Sequence, residues 1–128
     1  METFDYTLKS RKGFDEAVEA VIEKSKERGF GVLHVHDVKD ILTKKGYPRD
    51  PLKIIEICSP GYASRVLDAD IKTSLMLPCP ISVYVEGGQV FVSAMRPRAI
   101  ADFFPGSAVK ALAEEVDAII RTIVDEAG

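Results

Sequence analysis

Ile81-Ser82-Val83-Tyr84-Val85-Glu86-Gly87-Gly88-Gln89-Val90-Phe91-Val92-Ser93-Ala94-Met95 decides how this chain folds. Ile81, Val83 and Val85 alternate with Ser82, Tyr84 and Glu86, the period-two pattern of a half-buried strand. Gly87-Gly88 follows, a pair suited to the positive φ angles of a two-residue hairpin turn. Val90, Val92 and Ala94 then return in the same rhythm against Phe91, Ser93 and Met95. One face of this hairpin is a core face and the other is not.

Working upstream, Lys53-Ile54-Ile55-Glu56-Ile57-Cys58 reads as another strand. Ser59 and Pro60 fit the N-cap and first position of a short helix with Ala63, Val66 and Leu67 on its apolar side. Residues 68–77 read as a connector. Residues 30–36 form a strand with Leu33 and Val35 expected on the core face and Val32, His34 and His36 opposite. Asp37 is placed to cap a short helix through Lys45, with Asp40 three residues on as an approximate capping box. Tyr47-Pro48-Arg49-Asp50-Pro51 is a loop, since two prolines prevent regular structure. At the N-terminal end, residues 3–9 alternate, with Phe4, Tyr6 and Leu8 on one face. Residues 14–28 make a helix whose stripe is Phe14, Val18, Val21 and Ile22, stopped by Gly29.

Downstream, Pro97 starts a helical turn that Pro105-Gly106 interrupts. Ser107 is expected to cap a last helix striped by Val109, Leu112, Val116, Ile119, Ile120 and Ile123. The order is strand, helix, four strands, helix, with two short helices inserted between strands. The fold class is α+β. Two long amphipathic helices cover one face of an antiparallel-rich sheet, leaving the other face open.

Composition sets the outer limits. At 128 residues the chain is one domain, residues 1–128, and its 46% hydrophobic and 29% charged residues suit a globular core. No segment reaches the ~20 apolar residues of a membrane helix. Met1-Glu2-Thr3-Phe4-Asp5 lacks the basic start and apolar run of a signal peptide, so the expectation is cytoplasmic. The net charge is −3. Residues 1–53 carry 11 cations and 10 anions, residues 54–128 carry 6 and 10, and neither half is basic. Binding to nucleic acid through phosphate attraction is not expected. Two cysteines, Cys58 and Cys79, are too few for a disulfide scaffold.

The candidate chemistry lies on the open face. Strand parity puts His34, His36, Ile54, Glu56, Cys58, Ser82, Tyr84, Glu86, Phe91, Ser93 and Met95 there. His34 and His36 project the same way from one strand, so they are candidate metal ligands, with Glu56 or Cys58 adding a third donor. A partly polar face, solvated or covered by a partner, accounts for the same histidines. Glu56 sits in a run of isoleucines, where an unpaired carboxylate is costly. A pair with Arg65, Arg96 or Arg98 is the plain explanation, and a proton-handling or ligand-orienting carboxylate is the sharper one. Cys58 precedes a helix N-terminus, where the dipole favours a thiolate. Cys79 is fixed in extended form between Pro78 and Pro80. Each also fits a small, buried, inert residue.

Glu56-Ile57-Cys58-Ser59-Pro60, Leu77-Pro78-Cys79, the strand Ile81 to Glu86, the Arg28-Gly29-Phe30-Gly31-Val32 turn and the Asp37 helix together resemble domain of unknown function family 302. Ser59 stands where that family often has asparagine, and Pro80 where it often has a basic or polar residue. The resemblance implies a fold similar to the TATA-binding-protein-like α/β class, and a homodimer. It implies no reaction, and the fold analogy does not carry DNA binding.

Three functions follow as expectations. The first is binding of a small ligand, or thiol redox sensing, around Glu56, Cys58, Cys79 and Tyr84, with Cys58 as the thiolate and Cys79 as the resolving partner in the redox version. The second is an enzyme with Glu56 as acid or base, Cys58 as nucleophile and His34 or His36 in support. The third is an interaction module whose open face is a dimer seam. No cofactor is implied by any motif: there is no nucleophile elbow, glycine-rich phosphate loop or standard zinc spacing.

Overall fold

The computed structural model describes residues 3–128; Met1 and Glu2, the start of the Met1-to-Asp5 stretch read above, lie outside the described residues. Five strands form one antiparallel sheet: β1 (Asp5–Lys9), β2 (Gly31–Asp37), β3 (Leu52–Cys58), β4 (Cys79–Glu86) and β5 (Gln89–Met95). Their spatial order is β1-β5-β4-β3-β2. The hairpin turns on Gly87 and Gly88 at φ 59° and 76°, the sign a tight primed turn demands. It sets Ile81 opposite Ala94 and Val83 opposite Val92.

The helices are α1 (Phe14–Glu27), α2 (Val38–Lys44), α3 (Pro60–Ala69), α4 (Pro97–Ile100) and α5 (Ser107–Ala127). Helix α1 crosses β3 and β4, and α5 crosses β5 and β1, so both long helices cover one face. Ile55, Ile57, Ile81, Val83 and Val92 are wholly buried beneath them. They meet Val21 of α1 and Ile123 and Val124 of α5 in one core. The expected α+β arrangement is the one observed.

Local details depart from expectation for identifiable reasons. Register shifts between Val32 and His34, so Leu33 is the extra residue of a bulge. Val32 therefore packs on the core with Val35, while Leu33 is 63% exposed. Beyond the bulge, His34 pairs with Glu56 and His36 with Ile54 on the open face, as parity required. Phe4 precedes β1 and is exposed rather than buried with Tyr6 and Leu8. Asp37 caps α2 as expected, accepting from the Asp40 N–H at 3.0 Å. Ser59 and Ser107 do not cap with their side chains; Ser107 is already helical and Gly106, at φ 89°, holds the cap position. Residues 68–77 are not a plain connector. Helix α3 continues to Ala69, and Ile71–Met76 forms a 3-10 segment whose cap, Asp70, accepts from the Lys72 N–H.

One charged residue lies inside the core-facing stripe of α5. Asp117 is buried and takes a forked contact from Arg96, with Nε at 3.3 Å and Nη2 at 3.1 Å. The Arg98 N–H also donates to it, at 3.4 Å. This ties the β5–α4 junction to α5, which fixes the position of Met95 and Pro97 at the end of the sheet. A buried carboxylate survives there because several donors replace its water.

Candidate functional site

Cys58 ends β3 and Cys79 begins β4. The antiparallel pairing of these two strands sets Ile57 opposite Cys79, so the two cysteines come together at one end of the sheet. That adjacency depends on β3 and β4 being neighbours. Beyond the strand ends the chain closes over them: α3 and the 3-10 segment on one side, α5 on the other. The result is a cavity of about 50 Å³ whose lining includes Cys58, Cys79, Tyr62, Thr73, Ala113 and Val116. Its walls are almost entirely apolar and carry no charged side chain.

Both cysteines are free thiols and partly buried. Burial pushes the Cys79 thiol up from its usual value of 9.0 to about 11, with the neighbouring Cys58 adding to the effect. Cys79 is therefore a protonated, weakly donating side chain at neutral pH.

Thr73 is the residue that sequence reasoning missed. It is wholly buried, and its Oγ1 has no hydrogen-bond partner in the protein. A hydroxyl shut away from water without a partner costs about 1–3 kcal/mol. Ser25 Oγ in α1 is the other such group among the described residues, but it does not line the cavity. No sequence signal marks Thr73, because it lies in what reads as a connector.

A second space lies on the open face. It is a groove of about 530 Å³ floored by Ile54, Glu56 and Pro80 and walled by Val38 and Ile41 of α2 and by Leu75. At its polar end His36 Nε2 meets Glu56 Oε1 at 2.8 Å. Glu56 thus takes its partner from the adjacent strand, not from the arginines expected. Arg96 is engaged with Asp117, and Arg65 lies 4.6 Å over the Tyr62 ring. The pairing is a consequence of β2–β3 register, which sets His34 opposite Glu56 and His36 opposite Ile54, so His36 reaches Glu56 diagonally across the open face. The His34 and His36 rings meet edge to face, with centroids 4.4 Å apart. Among the described residues, no three His, Cys, Asp or Glu side chains are placed to hold a metal ion. The expected third donor is therefore not in position.

Met76, Leu77 and Met95 line both the groove and the cavity. They are the wall between the two spaces. The sequence candidates are thus divided: Cys58 and Cys79 belong to the cavity, His36 and Glu56 to the groove. Tyr84 joins neither. It stacks on Phe91 at 5.6 Å, further along the hairpin. His34 stands beside the groove through His36 and does not line it.

No helix among the described residues is long and apolar enough to cross a membrane. No curated protein matches the chain. A crystal structure of an uncharacterized conserved protein DUF302 from Bacillus stearothermophilus is similar to it, with 30% identity and a TM-score of 0.94. That match covers 99% of this chain and 100% of the other. The model for the family described as Domain of unknown function DUF302 matches residues 6–127. The resemblance first carried by the Glu56-to-Pro60 and Leu77-to-Cys79 segments holds over nearly the whole sequence, and the chain belongs to the DUF302 family.

Proposed function

We propose that this domain binds a small ligand where the open groove meets the cysteine cavity. The observation that carries this reading is the buried, unpartnered Thr73 hydroxyl in the wall of that cavity. A folded chain gains nothing from such a group by itself. A bound molecule offering a hydrogen bond removes the penalty. Pockets for small molecules commonly join an apolar lining to a few polar groups that fix orientation, which describes this pair of spaces.

The thiol redox reading uses the same cysteines, and their shared cavity favours it. The state of Cys79 weighs against it. At about 11, its thiol is ionised in roughly one molecule in ten thousand at pH 7. A resolving cysteine needs the thiolate. The enzyme reading, with Glu56 as acid or base and Cys58 as nucleophile, places its two groups two residues apart on β3, with His36 on the carboxylate.

Homodimerisation in a cytoplasmic setting completes the proposal. The open face presents one row across the sheet, Thr7, Ser93, Ser82, Ile54 and His36 in register. Phe91 and Tyr84 lie in the next row. Small polar and aromatic side chains of this kind suit a second copy of the same face.

Three outcomes are expected. In amide chemical-shift mapping against a mixed set of small neutral and charged compounds, binders move the signals of Thr73, Cys58 and Cys79. Binders that move only signals elsewhere contradict the reading. In sedimentation at micromolar concentration the protein runs as a dimer, and a monomer removes that part of the proposal. The third concerns pH. The folded state raises the Cys79 value, so its contribution to stability is complete below about pH 9 and is lost as pH rises towards 11. Two units correspond to about 2–3 kcal/mol. Denaturation of wild type and Cys79→Ala between pH 8 and 11 measures it: the gap between them narrows. A constant gap would show that Cys79 is not held protonated, and would return weight to the redox reading.

A further inference from the structure

The ligand reading leaves open what kind of molecule fits, and the chemistry of the two spaces narrows it. The cavity is too small to hold a drug-sized molecule: a dry cavity of about 150 Å³ is what benzene needs. At about 50 Å³ it admits the end of a molecule. The groove outside it, at about 530 Å³, is within the range of ligand pockets and is apolar along most of its length. Only Met76, Leu77 and Met95 separate them. Methionine is unbranched and shifts rotamer easily, so two of the three wall side chains can yield.

The end that enters must be uncharged. The cavity lining has no cation for a carboxylate and no anion for an amine. An ion placed there would lose its hydration with nothing in return. The end must also carry a hydrogen-bonding atom, because Thr73 Oγ1 has no protein partner and is wholly buried. Its hydroxyl both donates and accepts. The rest of the molecule lies along Ile41, Ile54 and Leu75 and so is aliphatic.

We propose that this site takes a neutral straight-chain aliphatic molecule with one terminal oxygen, an alcohol or aldehyde, its oxygen at Thr73 and its chain in the groove. The assignment rests on the ligand reading above and names the class that fits it. The 3-10 segment explains how such a chain is covered. It carries both Thr73 and Leu75, the latter 86% exposed, so the residue that meets the oxygen and a residue able to fold over the chain share one short element.

The test uses 1-hexanol, hexanoate, hexylamine and hexane as probes of the full chain, read by amide chemical shifts and by titration. Hexanol is expected to shift Thr73, Cys58 and Ile54, and hexanoate and hexylamine are expected to leave them unmoved. Thr73→Val should weaken hexanol binding by about tenfold, the worth of one hydrogen bond. Ala113→Leu, which fills the cavity from α5, should abolish it. Should Ala113→Leu fail to fold, Ala63→Val on α3 serves the same purpose. Hexane binding as tightly as hexanol, or Thr73→Val leaving the affinity unchanged, overturns the role of the oxygen. Preferential binding of hexanoate or hexylamine at the same residues overturns the neutral class while sustaining the ligand reading. If no probe moves a cavity residue, both are overturned.

Discussion

Everything in this molecule depends on burying one face of three central strands. Ile55 and Ile57 of β3, Ile81 and Val83 of β4 and Val92 of β5 are sealed against α1 and α5. Because side chains alternate along a strand, sealing these residues leaves no freedom for the others. Ile54, Glu56, Ser82, Tyr84, Phe91 and Ser93 are forced to the opposite face. The groove is therefore a by-product of the core. Its polar end, His36 on Glu56, exists because β2 pairs with β3 in the one register the core permits.

The same constraint places the cavity. Helices α1 and α5 cover the middle of the sheet, while the ends of β3, β4 and β5 run beyond it. The chain leaves β3 through Ser59-Pro60 into α3, comes back through the 3-10 segment and re-enters at Cys79. That excursion roofs the strand ends without filling the space beneath. The Arg96–Asp117 fork keeps the floor fixed by tying the end of β5 to α5. Removing Asp117 alone would strand buried charge, which is why such a pair holds position more firmly than an exposed one such as Arg28–Glu126. A fixed floor, a thin wall of Met76, Leu77 and Met95, and a short 3-10 roof together give a rigid site with one yielding side.

Much of this was legible in the residues, and what was not has physical reasons. Alternation in Ile81–Met95 and in Lys53–Cys58 identified the core face correctly, since burial there is uninterrupted. The same rule misplaced Val32 and Leu33, because a bulge inserts one residue and reverses parity upstream of it. The histidines survived because they lie past the bulge. Glu56, a carboxylate in a run of isoleucines, needs a partner, but which one depends on which strands adjoin, and strand order is a long-range property. Whether Cys58 and Cys79 meet turns on the same property, since only the pairing of β3 with β4 brings their strand ends together. Asp117 falls on the apolar stripe of α5 next to Val116, but its partner Arg96 lies on a different element, so no local spacing marks the pair. Nor does any mark Thr73, because burial in a connector is decided by packing from elements far away in sequence.

The central claim is that the Thr73 hydroxyl is kept unsatisfied in the empty protein for the sake of what binds there. Thr73→Val keeps the shape and removes the hydroxyl. Urea denaturation of the ligand-free protein measures the consequence directly. The account predicts that Thr73→Val is more stable than wild type by about 1 kcal/mol, because a buried polar group without a partner is replaced by a methyl. An equal or lower stability would show that the hydroxyl is already satisfied in the empty protein, and would contradict the account.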